Sequence, residues 1–204
     1  LTSDLSEAIN VSEDTIRRDL AELAETGKII KAHGGALSKS FHTSFQINGV
    51  YSHDKKKCIA RKAVNLIHDG MFILSGGGTT ITELAKALPD QLQATFFTGS
   101  LPAAIEYIQH PTAEVIFIGD RISKNSRITI GGDAIQKIAQ INADICFLGI
   151  NALDPELGLT DNDWEVVQIK KAMIRASRKV VALTISEKLN TQQKIKVADL
   201  SELD

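Results

Sequence analysis

One stretch constrains this chain more than any other: Val11 to Ala36, VSEDTIRRDLAELAETGKIIKAHGGA, which sets a helix start, an arginine pair and a glycine-tipped hairpin within 26 residues. Ser12 can cap a helix whose first turn carries Glu13 and Asp14, carboxylates that suit the positive end of the helix dipole. Ile16, Leu20 and Leu23 recur at helical spacing and mark its buried side. Thr15, Arg17 and Arg18 fall outward near the helix N-terminus, a hydroxyl and two guanidinium forks of the kind that meet phosphates and base edges in a DNA groove. The plainer alternative is an amphipathic helix in which Arg18 pairs with Glu22 one turn on.

Upstream, Ser3 is expected to cap a shorter helix over residues 4–9 with Leu5 and Ile9 inward, and Asn10-Val11 supplies the tight connection of a helix-turn-helix. Downstream, Gly27 should end the second helix, and residues 28–32 read as a strand running into His33-Gly34-Gly35. That hairpin would be a wing whose Lys28, Lys31 and His33 reach the phosphate backbone beside the groove. Heads of this kind pack three helices and two fit before Gly27, so a first helix is expected to be missing.

This string resembles the DeoR family of bacterial transcriptional regulators, whose signature joins VS-x-x-TIRRDL to a G-x-x-x-R-x-HGGA wing. The match runs through Val11, Ser12, Thr15 to Leu20, Gly27 and His33 to Ala36, with Lys31 where arginine is usual. Lysine keeps the charge and gives up the fork. The resemblance implies a double-stranded DNA operator as partner and, for the chain, a homo-oligomeric cytoplasmic regulator.

Charge alone does not point to DNA. The net charge is −2, and residues 1–40 hold five Lys/Arg against seven Asp/Glu. Affinity would have to come from a few placed cations, doubled by dimerisation, rather than from a bulk positive field. With 204 residues and 43% hydrophobic content the chain can bury one sizeable core and carry a small accessory domain. No signal peptide and no membrane-spanning apolar run are apparent, so no membrane partner is expected. Cys58 and Cys146 show no metal-ligand spacing and are expected to be buried thiols in a reducing compartment.

Residues 38–54 break the periodicity and read as a linker between a DNA-binding domain (1–37) and a second domain (55–204). Phe41, Phe45 and Tyr51 are expected to dock on that second domain, and His42 and His53 to be solvated. From Lys55 helices alternate with strands: apolar positions Ile59, Ala60, Ala63, Leu66 and Ile67 on one helix, strands at 71–75, 95–98, 114–119, 128–130, 145–150 and 180–184, and helices at 81–88, 102–109, 133–141 and 165–177. That order predicts an α/β domain with a mostly parallel sheet covered on both faces.

In such sheets ligands sit where strands give way to helices. The first such junction is Ser75-Gly76-Gly77-Gly78-Thr79-Thr80. Gly77 and Gly78 let backbone N–H groups approach an anion, Thr79 and Thr80 add hydroxyls, and the helix start adds positive potential: a phosphate cradle. The alternative is a tight turn with a Thr80/Glu83 capping box. It lacks the lysine of a nucleoside-triphosphate loop and the spacing of a dinucleotide fingerprint, so no cofactor is expected, nor a metal. Gly99-Ser100 ends another strand in the same way. A third loop, 154–163, brings Asp154, Glu156, Asp161 and Asp163 ahead of a helix with Glu165, Lys170 and Lys171; its carboxylates hold sugar hydroxyls or form a solvated acidic turn. Lys188 is either a cation for the same pocket or a surface lysine, and Trp164 fits core or pocket edge.

These features also resemble the DeoR effector domain, which is similar to ribose-5-phosphate isomerase and binds phosphorylated sugars or related intermediates. Its D-x-GTT loop falls on Gly76 to Thr80, its NS pair on Gly99 and Ser100, and its late acid and lysine on Glu165 and Lys170. Gly76 stands for the aspartate, Gly99 for the asparagine and Thr184 for a later aspartate whose lysine shifts to Lys188. The resemblance implies a repressor of a carbohydrate operon that answers to a phosphorylated sugar. Two other classes stay open: an isomerase-like enzyme with Glu165 or Asp161 as base, and a DNA-binding protein whose second domain only oligomerises.

Overall fold

A computed structural model describes residues 1–26, 29–32, 34–38 and 52–204. The chain divides into two compact units, Leu1–Gln46 and Ile47–Asp204.

The first unit holds α1 (Thr2–Ile9), α2 (Glu13–Glu25) and the hairpin β1 (Ile29–Ala32) and β2 (Gly35–Ser38), paired antiparallel with Ala32 opposite Gly35. Asn10 closes α1 in the left-handed region (φ 53°), a conformation asparagine tolerates and a sharp interhelical turn requires. Helix α1 begins at Thr2, ahead of the expected Ser3 cap, because the Thr2 amide and hydroxyl both donate to the Gly34 carbonyl, at 2.9 and 2.7 Å. The inward placement of Leu5 and Ile9 does not hold: they are 41% and 59% exposed. Helix α1 meets α2 and, through Thr2, the turn of the hairpin, and no described element covers its other side.

The second unit is built on a five-stranded sheet, all parallel, in the order β11 (Val180–Leu183), β8 (Ile145–Gly149), β3 (Phe72–Ser75), β4 (Thr95–Thr98), β5 (Glu114–Phe117). Strand β8 shows why both faces are covered. Ile145 and Phe147 point into one core with Ile73, Phe96 and Tyr107, and Cys146 and Leu148 into another with Leu74, Val167 and Met173. Helices α3 (His53–Val64), α4 (Thr79–Lys86) and α5 (Leu101–Tyr107) supply the first core, and α6 (Gly132–Ile138) and α7 (Trp164–Arg175) the second. A short hairpin, β6 (Arg121–Ile122) with β7 (Thr129–Ile130), and an antiparallel sheet β12 (Ile195–Ala198), β10 (Gly158–Asp161), β9 (Ala152–Asp154) complete the unit.

That antiparallel sheet corrects the expected acidic loop at 154–163. Asp154 Oδ1 accepts from the amides of Glu156 and Leu157 at 2.9 and 3.0 Å, folding the chain back, and Gly158 (φ 76°) starts the return strand. Cys58 is exposed rather than buried, because α3 turns Lys56, Ala60 and Ala63 inward and Cys58 away from them; Cys146 is fully buried, and burial pushes its thiol up to about 12. Trp164 is 64% exposed, so it is no core residue. His53 is not a solvated linker residue: it opens α3, with Nδ1 3.8 Å from the buried carboxylate of Glu83. Phe41, His42, Phe45 and Tyr51 lie outside the described residues. Among the described residues no helix is long and apolar enough to cross a membrane.

Candidate functional site

In the first unit Ser12 caps α2, its Oγ accepting from the Thr15 amide at 3.2 Å and lying 2.9 Å from the Thr15 hydroxyl. Arg17 is tied along its own helix to Glu13 (2.9 Å) and Asp14 (3.1 Å). Arg18 is exposed and, among the described residues, has no acidic partner; the alternative Arg18–Glu22 pair is not formed. Lys31 sits in β1 opposite Ala36. Gly27, Lys28 and His33 lie outside the described residues, as does the side chain of Lys31.

In the second unit the glycine loop leaves β3 at the centre of the sheet. Gly78 is the residue before α4, at φ 110°, and nothing stands within 4 Å of where its Cβ would be. No side chain caps this helix, so the Thr80/Glu83 capping box is absent: α4 starts at Thr79, two residues earlier than expected, which puts Thr80 inside the first turn. By position, the amides of Thr79, Thr80 and Ile81 have no carbonyl within the helix to bond. The loop is held rigidly from below. Gly76 donates to the Phe147 carbonyl at 2.9 Å, Ser75 Oγ lies 2.8 Å from the Tyr107 hydroxyl, and Thr98 Oγ1 donates to the Ser75 carbonyl at 2.8 Å. A Cβ on Gly77 would come within 2.6 Å of Ile128 Cγ2.

The second junction is more structural than the sequence suggests. Ser100 is 1% exposed, its amide donates to Thr98 Oγ1 at 3.1 Å, and its Oγ caps α5 by accepting from Ala103 at 3.4 Å. Gly99 donates no side chain because Thr129 Oγ1 fills that space while bonding the Ile118 carbonyl at 2.7 Å.

On the other side of the loop, Asp161 ends β10 almost fully buried. It accepts from Lys170 Nζ at 2.7 Å, Asn151 Nδ2 at 3.0 Å and the Asn162 amide at 2.7 Å. Burial alone would raise its carboxyl; the Lys170 ammonium and these hydrogen bonds outweigh that and hold it below the usual range. Lys188 Nζ donates to the Ile150 carbonyl at 2.5 Å, and burial together with the charges of Lys170 and Lys56 pushes it down to about 8. Glu165 does not join this group: it is ion-paired with Arg121, and its side chain is 42% exposed. Thr184 Oγ1 bonds the Ile185 carbonyl at 3.3 Å.

A cavity of about 20 Å³, room for roughly one water, brings Gly76, Gly77, Gly99, Ser100, Thr129 and Lys170 together. Sequence reasoning missed Lys56, Asn151 and Thr129. Lys56 sits in a run of three lysines; its spacing to Ala60 and Ala63 was the available signal of burial.

A family model described as the DeoR C terminal sensor domain matches residues 51–204, and one described as a DeoR-like helix-turn-helix domain matches residues 1–41. The chain belongs to the DeoR family of transcriptional regulators. This DeoR-family chain is 32% identical to the HTH-type transcriptional regulator GlpR of Haloferax volcanii, over 98% of its own length and 79% of that protein's. It is 30% identical to the HTH-type transcriptional repressor GlcR of Bacillus subtilis (100% and 79%) and 30% identical to the glycerol-3-phosphate regulon repressor of Escherichia coli K12 (100% and 81%). Among solved structures, ribose 5 phosphate isomerase A from Neisseria gonorrhoeae matches with a TM-score of 0.50 at 15% identity, over 69% of this chain and 55% of that one. That likeness is one of fold alone, and the chain spans about half the length of that isomerase.

Proposed function

We propose that this DeoR-family regulator represses a carbohydrate operon, binding double-stranded operator DNA as a homo-oligomer in the cytoplasm and loosening its hold when a phosphorylated sugar or related metabolite binds the sensor domain. The observation that carries the reading is the Gly76–Thr80 loop, with its helix N-terminus open to approach at Gly78 and a buried lysine beside it, on the same chain as a DeoR-like helix-turn-helix. Relatives named as repressors, one of them of a glycerol-3-phosphate regulon, support both halves. On this reading residues 1–37 bind DNA through Ser12, Thr15, Arg17, Arg18, Lys28, Lys31 and His33, residues 38–54 join the halves, and residues 55–204 hold the effector through Gly77, Gly78, Thr79, Thr80, Gly99, Ser100, Asp161, Lys170 and Lys188. Glu165, read from the sequence as a further effector contact, is paired with Arg121 in this structure.

We read the domain as a sensor rather than an isomerase. Relatives named as transcriptional regulators and repressors, and the DeoR-like helix-turn-helix on the same chain, support that reading. The test is retention of the protein on a footprinted operator fragment with and without sugar phosphates at fixed salt. Release by a phosphorylated compound supports the reading, and turnover of ribose 5-phosphate, or operator binding indifferent to every phosphorylated compound, overturns it.

A further inference from the structure

The two edges of the parallel sheet are finished differently. At β11 the outward backbone of Val180 is already taken: its amide donates to Asp204 Oδ2 at 2.7 Å, and its carbonyl accepts from the Asp204 amide at 2.9 Å. Edges are ordinarily closed in this way, or with charge or proline, because unpaired strand groups recruit another strand. Strand β5 lacks such a guard. The amides of Glu114 and Ile118 donate inward, to the Ala94 and Thr98 carbonyls at 2.9 and 2.8 Å. By alternation the N–H and C=O groups of Val115 and Phe117 point outward, and among the described residues no group bonds them.

The side chains along this edge are apolar on both faces of the sheet. Ile116 shares a face with Phe97, and Val115 and Phe117 share the other with Phe96; Ile116 and Phe117 are each 40% exposed. Helix α5 covers that second face. Its Glu106 reaches back to Lys86 of α4 at 3.6 Å, so Ile108, two residues and about 200° further round, turns away from α4 and is 67% exposed. The one charge on the strand, Glu114, stands at its start and accepts from Thr95 Oγ1 at 3.1 Å.

Such an edge can pair with an antiparallel copy of itself in few registers, and charge and free donors select among them. A two-fold at Glu114 sets two carboxylates face to face, and one at Phe117 sets Glu114 against Asp120, both destabilising. A two-fold at Val115 requires the Ala113 amide, which is already given to His110 Nδ1 at 3.0 Å. A two-fold at Ile116 meets neither obstacle. Val115 and Phe117 of each copy then exchange both backbone bonds with Phe117 and Val115 of the other, Ile116 packs on its counterpart, and Glu114 faces apolar Ile118. Resting on the homo-oligomeric reading above, we propose that two copies of this chain join through β5, antiparallel about a two-fold at Ile116, doubling the five-stranded sheet. The seam covers Ile116 on one face and Phe117 on the other, with Ile108 of the two α5 helices flanking it.

The experiment is sedimentation equilibrium of the full chain at micromolar concentration, in the parent and in Ile116→Lys, which sets two ammonium groups across the two-fold. The variant should have half the parent's mass and an unchanged thermal melt. Register is read separately, by mild oxidation in a Cys58→Ser background that removes the exposed native thiol. Ile116→Cys puts two Cα atoms about 4.5 Å apart in such a pair, within disulfide reach, and should cross-link; Glu114→Cys, roughly 14 Å from its counterpart, should not. An Ile116→Lys variant that keeps the parent's mass, or an Ile116→Cys variant that cross-links no better than Glu114→Cys, overturns the β5 seam and leaves the homo-oligomer standing. A monomeric parent overturns the homo-oligomeric reading together with the seam.

Discussion

The carbonyl oxygen of Gly77 occupies the space that a Cβ on Gly149 would need. The end of β8 and the glycine loop after β3 are thus in backbone contact, with no side chain between them to yield. Gly149→Ala must push the loop aside, and overpacking of this kind costs about 1–3 kcal/mol. We expect the thermal midpoint to fall by about 2–4 °C per kcal/mol and the response to sugar phosphates to be lost together with it. A variant that melts like the parent and still answers to the same ligand would show the contact to be slack.

Gly78 tests the loop from its open side. Gly78→Val meets no atom but must hold φ 110°, a backbone region that costs a non-glycine residue roughly 1–3 kcal/mol. The added side chain stands where an anion would approach α4. Ligand-induced stabilisation, roughly 2.7 kcal/mol at 100 times the dissociation constant, should vanish in differential scanning fluorimetry while effector-free operator binding persists.

The Lys170–Asp161 pair should be far more sensitive to halving than to removal. Lys170→Met leaves Asp161 buried with its hydrogen bonds but no counter-charge, a change worth about 3–5 kcal/mol, whereas the double variant Lys170→Met/Asp161→Leu should recover much of that loss. Because the folded carboxyl lies below its unfolded value, its stabilising contribution is present above about pH 4 and fades as pH falls through the folded value. Urea midpoints at pH 7 and pH 3 should therefore fall less in the double variant than in the parent.

Lys188 carries the opposite sign. Its folded value of about 8 lies below the ordinary 10.5, so between those pH values the unfolded chain binds more protons and stability rises with pH. Lys188→Met should flatten that rise between pH 7.5 and 9.5, with Lys56, Lys170 and Asp161 as the charged groups around it. Affinity for an anionic effector should run the other way, falling as pH climbs past about 8 and the ammonium is lost. Affinity that is constant across that window would detach Lys188 from the ligand.

The two arginines of α2 should behave differently. Arg17 is occupied by Glu13 and Asp14, and Arg18 is not, so Arg18→Ala should weaken operator binding by roughly 1–3 kcal/mol at fixed salt. Arg17→Ala should do less, since DNA must first draw it from two carboxylates. Equal losses in a filter-binding series would mean that the Arg17 pairs dissolve on contact with DNA.

Legibility followed period. The parallel sheet could be read because short continuous apolar runs such as β8 recur between segments of 3.6-residue spacing such as α7, the pattern of strands buried on both faces. The β9–β10 hairpin was hidden because its turn is made by Asp154, whose side chain replaces a backbone acceptor, and acidic residues in series look like solvent-facing loop. Leu5 and Ile9 obey helical spacing yet stay exposed, since spacing names a side and not what covers it. Ser100 was recognised as a helix-opening residue, but its hydroxyl is spent on the cap. Lys56 was lost among Lys55 and Lys57, where three equal charges conceal the one that helical phase turns inward.

Thr2 and Gly34 are 32 residues apart and joined by two hydrogen bonds to one carbonyl. The helix-turn-helix lies wholly within the ring they close. The start of α1 and the turn of the hairpin are thus pinned to one another like the two ends of a buckle. Thr2→Val, which opens half of that clasp, should speed amide hydrogen exchange in the first turn of α1.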